Sequence, residues 1–337
     1  MNDVIKKMQD SNKSWYKDFF ANCEWVKKHA SQISVVGESG DSFCFGNAQI
    51  KSKEESWKSL NEVFKFLRVD GFREKFEQAV NGDGHESKRI TRLHSSSLLP
   101  FLLFSQVSSK KPIKVKVNRG QEETFSEARF EVRNWLKLRD RHPSNVDVVL
   151  ENDNTILFLE SKFTEYLTCG RKVEFSKSRY GERLEKLRKA LDKVNVELAN
   201  GYVRSSESRY LTGIKQLVAH YMGLEYALDL EKGGNKYNQG GKETLSIGNR
   251  KVYLGEVIFE FGGSDAFTDY QQLYSAVVPA LLKTCQLKKE NMPLILSKPL
   301  TYQDLFADYE LDNDVGRFYQ LSKKFLTTRS NFDHHRP

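Results

Sequence analysis

The stretch NVDVVLENDNTILFLESKFTE, residues 145–165, is the strongest guide to the fold. Two runs of β-branched and aromatic residues flank a polar tetrad, residues 151–154, and this pattern predicts a β-hairpin. Three charged residues interrupt the apolar runs: Asp147, Glu160 and Lys162. Because an unpaired charge is costly to bury, we expect these side chains either to lie at a solvent-exposed edge or to serve a function.

The pairing of the two strands determines whether these charges meet. A turn centred on residues 152–153 would place Asp147 opposite Phe158. Since side chains alternate between the faces of a strand, Asp147, Glu160 and Lys162 would share one face. Asp147 and Glu160 would be diagonal neighbours, with Cα atoms about 7–8 Å apart. A slip of one residue would separate the three charges.

The residue types in this cluster suit divalent metal chemistry. Mg²⁺ takes oxygen ligands at about 2.0–2.1 Å and keeps several waters. Asp147 and Glu160 would supply such oxygens, and Mn²⁺ is the expected substitute. Lys162 would lie beside a metal-bound water. The alternative is a structural ion pair between Asp147 and Lys162, with Glu160 at an edge.

The overall composition is that of a globular protein. The chain has 337 residues, of which 39% are hydrophobic and 29% are charged. It lacks an apolar run long enough to span a membrane and an N-terminal apolar signal core, so we expect a cytoplasmic protein. Its four cysteines are widely spaced without a CxxC pair, which favours reduced thiols over a zinc site.

Positive charge is concentrated on both sides of the predicted hairpin. The net charge is +8, and residues 110–146 and 162–193 each contain ten Lys or Arg against five Asp or Glu. Clustered basic charge is typical of a protein that binds a polyanion. The alternative is a solvated surface rich in lysine.

The N-terminal region is predicted to be helical. Apolar residues at three- and four-residue spacing predict helices over residues 14–29 and 54–80, with a Gly-rich segment of β character between them. The phosphate-binding pattern GxxxxGK[ST] is absent. We therefore interpret residues 1–80 as a helical accessory region.

The rest of the chain alternates between helices and strands. Residues 125–138 fit either a strand, by alternation of apolar and charged residues, or a helix face, and we favour the strand. Residues 176–198 suit a helix that covers the core, although a DNA-groove helix or a dimer seam fits as well. The further predicted elements are a helix at 98–107, a helix at 210–228, a strand at 251–261, a helix at 266–283, a strand at 294–297 and a helical tail at 301–337.

The helix at residues 210–228 carries a distinctive polar face. Gly213, Gln216, His220 and Gly223 follow one another at helical spacing. The glycines allow a neighbouring element to approach closely, and Gln216 would point into that gap. His220 is either a buried histidine with a structural partner or a catalytic base, and we favour the first.

An Asp followed by a hairpin with Glu-x-Lys, within a helix, three strands, helices and a strand, resembles the PD-(D/E)xK nuclease superfamily. The motif is Asp147 and then Glu160-Ser161-Lys162, with Pro143 four residues before Asp147. HSSSLLPFLLF, NVDVVL and ESKFTE resemble bacterial restriction-endonuclease-like proteins of unassigned specificity. The resemblance implies a mixed α/β, restriction-endonuclease-like core at residues 81–300, between the accessory region and the tail.

This resemblance also implies Mg²⁺-dependent hydrolysis of a DNA phosphodiester bond. Asp147, Glu160 and the backbone carbonyl of Ser161 would hold the metal, which lowers the pKa of its bound water. Lys162 would orient the hydroxide or stabilise charge in the transition state. Gln216 matches a glutamine that many members carry near the site, and would position the water or a phosphate oxygen.

Superfamily members often have a further acid in the site, and two residues are candidates here: Glu86 and Glu131. The expected substrate is double-stranded DNA, cut by an endonuclease of the restriction or phage-defence kind. A repair or recombination exonuclease of the same superfamily, and a DNA-binding module that does not cut, are the alternatives. Whether the protein is a homodimer stays open.

Overall fold

A computed structural model of the chain describes residues 3–37, 42–50, 52–80, 89–118, 120–134, 144–167, 173–174, 186, 189, 196–199, 202–205, 211–232, 247–261, 265–285 and 292–321. The chain divides into two compact units. The first comprises Met1–Val107, Phe259–Phe261 and the chain from Thr301 onward, and the second comprises Ser108–Ile258 and Gly262–Leu300. Within the described residues, no helix is both long and apolar enough to cross a membrane.

The regular elements alternate along the chain. The helices are α1 (Asp3–Gln9), α2 (Glu24–Lys28), α3 (Lys53–Val63), α4 (Phe72–Ala79), α5 (Leu98–Phe104), α6 (Leu211–Lys232), α7 (Asp265–Lys283), α8 (Tyr302–Phe306) and α9 (Asn313–Phe318). The strands are β1 (Ile33–Val36), β2 (Ser42–Phe45), β3 (Ile113–Asn118), β4 (Gln121–Phe125), β5 (Glu127–Asn134), β6 (Ser144–Glu151), β7 (Thr155–Lys162), β8 (Val173–Glu174), β9 (Val196–Ala199), β10 (Tyr202–Ser205), β11 (Lys251–Ile258), β12 (Leu294–Ile295) and β13 (Leu300–Thr301).

The two long helices predicted in the first unit are broken into shorter pieces. The predicted helix at 14–29 consists of a turn of π-helix at Trp15–Phe20 followed by α2. The predicted helix at 54–80 divides into α3 and α4, since Gly71, just before α4, has a left-handed φ of +90° that ends any continuous helix. Between these helical regions, β1 and β2 form an antiparallel hairpin.

Aromatic side chains from both ends of the chain form the core of the first unit. Trp25 stacks on Phe64 with ring centroids 5.4 Å apart, and Phe318 of α9 packs against both rings. The Trp25 indole N–H donates a hydrogen bond of 2.9 Å to Asp314. Packed aromatic rings bury a large apolar area, so α9 is an integral part of this unit.

The second unit is built on a mixed sheet. Its strand order is β12-β11-β7-β6-β5, and β13 also pairs with β11. The strands β5, β6 and β7 are antiparallel, whereas β11 runs parallel to β7 and to β12. The three consecutive strands, the helix α6 and the parallel strand β11 confirm the predicted mixed α/β class, and they are compatible with a restriction-endonuclease-like fold.

Several sequence predictions in this unit can be compared with the structure. The strand interpretation of residues 125–138 is confirmed by β5 at residues 127–134, whereas residues 135–138 lie outside the described residues. The elements α6, β11 and α7 lie where they were predicted. The predicted helix at 176–198 falls largely outside the described residues. At residues 196–198 the prediction is wrong, because these residues belong to β9, which pairs with β10.

The central hairpin turns one residue later than predicted. The Asn152 side-chain oxygen accepts hydrogen bonds from the backbone N–H groups of Asn154 (2.8 Å) and Thr155 (2.7 Å). This Asx interaction centres the turn on residues 153–154 and pairs Val148 with Leu159. The pairing therefore differs by two residues from the predicted one, and a shift of two leaves every side chain on its predicted face.

Helices α6 and α7 cover one face of the sheet. The apolar cluster beneath them contains side chains from every central strand and from both helices, including Val149, Phe158, Leu254, Leu217 and Tyr274. Toward the carboxyl ends of β7 and β11, the same face changes from apolar to charged residues. Burial of the apolar part fixes the register and so determines where the charged part lies.

Candidate active site

The charged end of the sheet face brings together four residues that the sequence singled out. β7 carries Glu160 and Lys162 two residues apart, and β6 carries Asp147 immediately before Val148, the first residue of β6 that pairs with β7. α6 contributes Gln216 from above the sheet. When the β6–β7 register is continued by one pair, Asp147 lies directly opposite Glu160. The turn predicted at residues 152–153 had made these two residues diagonal neighbours.

Glu160 is the centre of this cluster. The residue is 1% exposed, and three neighbouring side chains bind its carboxylate. The Lys162 ammonium donates to Oε1 at 2.8 Å, the Gln216 amide also donates to Oε1, and His220 contacts Oε2 at 2.7 Å. Lys162 additionally donates to the Gln216 side-chain oxygen at 2.7 Å.

The two helical residues reach Glu160 because of their spacing. Gln216 and His220 are four residues apart, so they lie one above the other on the same face of α6. Both side chains contact the same carboxylate, one at each oxygen. His220 is therefore a buried histidine with a structural partner, as favoured from the sequence, and it also orients Glu160.

Asp147 joins the cluster through the backbone of β7. Its Oδ2 accepts a hydrogen bond of 2.7 Å from the backbone N–H of Ser161. Asp147 is partly exposed, in contrast to the buried Ser161 and Lys162. Asp147 and Gln216, which is also partly exposed, are therefore the members of the cluster that reach solvent.

The two candidates for the further acid have different outcomes. Glu86 lies outside the described residues. Glu131 lies on β5, between the pairs Phe130–Val148 and Val132–Val146, which puts it across from Asp147. Its backbone φ of +49° is unusual for a residue other than glycine, and its carboxylate accepts a hydrogen bond of 3.2 Å from Asn145.

Opposite charges set the ionisation of the buried pair. Burial alone would raise the pKa of Glu160, but Lys162 and His220 outweigh it and lower the pKa to about 2. Burial would lower the pKa of Lys162, but the Glu160 and Asp147 carboxylates raise it above its usual value. At neutral pH the site therefore holds a carboxylate and an ammonium in contact.

The pKa of Asp147 moves the other way. Burial and then the nearby carboxylates of Glu160 and Glu131 raise it well above its usual value, against the effects of Lys162 and the Ser161 N–H. Like charges held close together disfavour ionisation. A cation bound between these carboxylates would relieve that repulsion.

One residue of this cluster was missed in the sequence. Glu256 on β11 pairs with Glu160 on β7, is completely buried, and accepts a hydrogen bond of 2.6 Å from the Tyr270 hydroxyl. Burial raises its pKa to about 7, despite Lys162 and Tyr270. The signal was available, since Glu256 interrupts the apolar strand KVYLGEVIFEF just as Glu160 interrupts its own.

The oxygen donors fit a hard cation only in part. Among the described residues, no three His, Cys, Asp or Glu side chains are arranged as a ready metal site. Mg²⁺, however, usually binds through one or two carboxylates and keeps its remaining waters. Asp147 and Glu160 supply two such carboxylates on facing strands, and their mutual repulsion favours a cation.

A family described as Restriction Endonuclease associating with ARP matches residues 29–236. This match covers more than half of the chain. The chain belongs to this family. No curated protein and no solved structure matches the chain.

The family match covers most residues of the candidate site. It includes the hairpin with Asp147, Glu160 and Lys162, and it extends along α6 past Gln216 and His220. The match begins at residue 29, so it reaches into the region that was predicted to be accessory. It ends before β11, and Glu256 lies outside it.

Proposed function

We propose that the protein is a Mg²⁺-dependent endonuclease that hydrolyses phosphodiester bonds of double-stranded DNA, with a role in restriction or phage defence. The observation that carries this proposal is the convergence of Asp147, Glu160, Lys162 and Gln216 on one end of a buried sheet face. Membership of a restriction-endonuclease family supports the nuclease class.

Asp147 and Glu160 would hold the cation, with the Ser161 carbonyl as a further oxygen ligand. When bound, Mg²⁺ lowers the pKa of a coordinated water and neutralises charge on the phosphate. The side chains of the protein orient the metal ligands. Gln216 and His220 fix the orientation of Glu160, as the partners of a metal ligand do in other metal sites.

Lys162 would stabilise charge that develops on the phosphate. Its raised pKa keeps the ammonium protonated at neutral pH. It is almost completely buried, and a charge acts more strongly where water is excluded. Gln216 accepts a hydrogen bond from Lys162 and donates one to Glu160, so it links the ammonium to the carboxylate in the absence of a cation.

Basic residues of the second unit support a nucleic-acid substrate. Lys110, Lys114 and Lys116 are exposed on or beside β3. They belong to the basic segment at residues 110–146, whose composition predicted a polyanion. Lysines of this kind contact phosphates without reading sequence, so they support binding to DNA without indicating a recognition site.

One observation favours a second candidate, a DNA-binding module that does not cut. Both oxygens of Glu160 are already bound by side chains of the protein, Oε1 by Lys162 and Gln216 and Oε2 by His220. A site that is satisfied in this way needs no cation to be stable. The two candidates differ in one measurable property, which is cleavage.

The test is incubation of plasmid DNA with the purified protein and Mg²⁺ or Mn²⁺, beside Glu160→Ala and Lys162→Ala. We expect cutting by the wild type and by the control variant Glu151→Ala, but not by Glu160→Ala or Lys162→Ala. Glu151→Ala is the matched control, because Glu151 is a buried glutamate on the same hairpin, 4% exposed, with arginine partners instead. Equal cutting by all four proteins would contradict the site. Salt-sensitive binding without cutting would establish the second candidate.

A further inference from the structure

Glu256 has one carboxylate oxygen that is satisfied and one that is not. The Tyr270 hydroxyl donates to Oε2. Oε1 is buried and has no hydrogen-bond partner among the residues that the structure describes. A buried acceptor without a donor is destabilising. Oε1 of Glu256 can therefore accept a hydrogen bond from a donor that is bonded to another residue in this structure.

The Lys162 ammonium is such a donor. An ammonium has three N–H groups, and the described residues accept from it at two points, Glu160 and Gln216. Ile258 pairs with Lys162 and Glu256 pairs with Glu160, so Glu256 is the diagonal neighbour of Lys162 on the same face. Diagonal neighbours lie within reach of a long side chain.

Cation binding would force Lys162 to move. Lys162 now occupies Oε1 of Glu160, which is an oxygen that a divalent cation would need. His220 holds the other oxygen. An ammonium and a divalent cation on one carboxylate oxygen repel each other strongly at such a short distance. The ammonium therefore needs a second acceptor close by.

We propose that Glu256 is a positioning residue that receives the Lys162 ammonium when Glu160 binds a divalent cation. The inference rests on the proposed function. Lys162 would pass from Oε1 of Glu160 to Oε1 of Glu256, with no covalent bond made or broken. Tyr270 holds the carboxylate in place from its other side, and Lys162 remains beside the cation.

The test is calorimetric titration of Mn²⁺ into the protein without DNA, in a double-mutant cycle of Glu256→Leu and Lys162→Met. Leucine cannot accept the ammonium, so we expect Glu256→Leu to weaken the Kd by about tenfold. In the Lys162→Met background the ammonium is absent, and the same substitution should leave the Kd unchanged. Glu256→Gln, which keeps a neutral acceptor, should give an intermediate loss.

Glu151→Gln controls for removal of a buried carboxylate from the same sheet, and its Kd should equal that of the wild type. A loss of equal size in both backgrounds would overturn the inference, because Glu256 would then act on the cation directly. An unchanged Kd for Glu256→Leu would overturn it too, while leaving the proposed function intact. Failure of the wild type to bind Mn²⁺ would overturn both.

Discussion

Two buried glutamates on one hairpin have opposite surroundings. Glu151, at the end of β6 beside the turn, is bound by Arg129 at 2.9 Å and by Arg250 at 2.7 Å, and both arginines reach solvent. Glu160, at the other end of the hairpin, is bound by Lys162 and His220, which are almost completely buried. The same residue type is therefore paired at both ends, but only one end excludes water.

The difference shows how a structural ion pair can be separated from a candidate site. The partners of Glu151 can return to water if the carboxylate is lost. The carboxylate that faces it on β5, Glu127, is exposed to solvent and shares Arg129 with it. Glu160 instead lies between Asp147 and Glu256 on the neighbouring strands. A row of carboxylates around one ammonium is costly for folding alone, and this cost supports a functional role.

The largest expected effect comes from removing the charge of Glu160. We expect Glu160→Gln to lower Mg²⁺-dependent cleavage about 1000-fold, since metal-based charge stabilisation amounts to several kcal/mol. Initial rates of plasmid nicking give the measurement, and circular dichroism checks that the variant is folded. A variant that keeps more than a tenth of the wild-type rate would remove Glu160 from the metal site.

The next effect concerns the third buried glutamate, Glu256, and pH. Its pKa is raised from 4.5 to about 7 in the folded protein, so the folded state binds this proton more tightly than the unfolded state. The contribution of protonated Glu256 to the free energy of unfolding is fully present below pH 4.5 and is lost as the pH rises through about 7. The shift of pKa corresponds to about 3 kcal/mol.

Urea denaturation of the wild type and Glu256→Gln between pH 5 and pH 8 measures this contribution. The glutamine side chain stays neutral throughout this range, whereas Glu256 ionises. The free energy of unfolding of the variant relative to that of the wild type should therefore increase as the pH rises. Glu151→Gln serves as the control from the other end of the hairpin. Parallel pH profiles of the wild type and Glu256→Gln would show that Glu256 does not titrate in this range.

At the turn end, the expected effect is on stability and not on cleavage. Glu151→Gln should lower the free energy of unfolding by about 2 kcal/mol, less than for a fully buried pair because both arginines are partly exposed. The cleavage rate at a temperature well below the melting transition should match that of the wild type. A loss of cleavage comparable to that of Glu160→Gln would end the distinction between the two glutamates.

The sequence predicted which charged residues lie together better than it predicted the boundaries of the helices. Alternation of side chains has a period of two, so a turn misplaced by one residue still left Asp147, Glu160 and Lys162 on one face. Gln216 was found because a helix face can be listed from its spacing. The break at Gly71 was missed, because a left-handed glycine depends on tertiary packing that the local pattern does not contain.

The positions of two acidic residues, Glu256 and Glu131, could not be derived from the sequence. Glu256 was missed although it interrupts an apolar strand, because only the parallel pairing with β7 brings it beside Glu160. Glu131 could not be distinguished from Glu86, because its position depends on the β5–β6 register and on a backbone φ of +49°. Pairing between strands that are joined by a long connection is not determined by local periodicity.

The smallest expected effect tests whether the two ends of the hairpin are independent. Asn152→Ala removes the acceptor for the N–H groups of Asn154 and Thr155, together with a bond of 2.9 Å to the Thr124 carbonyl. We expect a loss of about 1 kcal/mol in the free energy of unfolding, measured by urea denaturation, with an unchanged cleavage rate. The exposed Asp153, substituted by alanine, is the control and should change neither.

Apolar burial beneath α6 and α7 should hold the register after the turn is weakened, because a slip would expose Val149 and Phe158. The cost of that exposure is several times the cost of the lost turn bonds. A fall in cleavage larger than the fall in stability would contradict this expectation. It would mean that the Asn152 turn, and not the packed face, sets the position of Asp147 opposite Glu160.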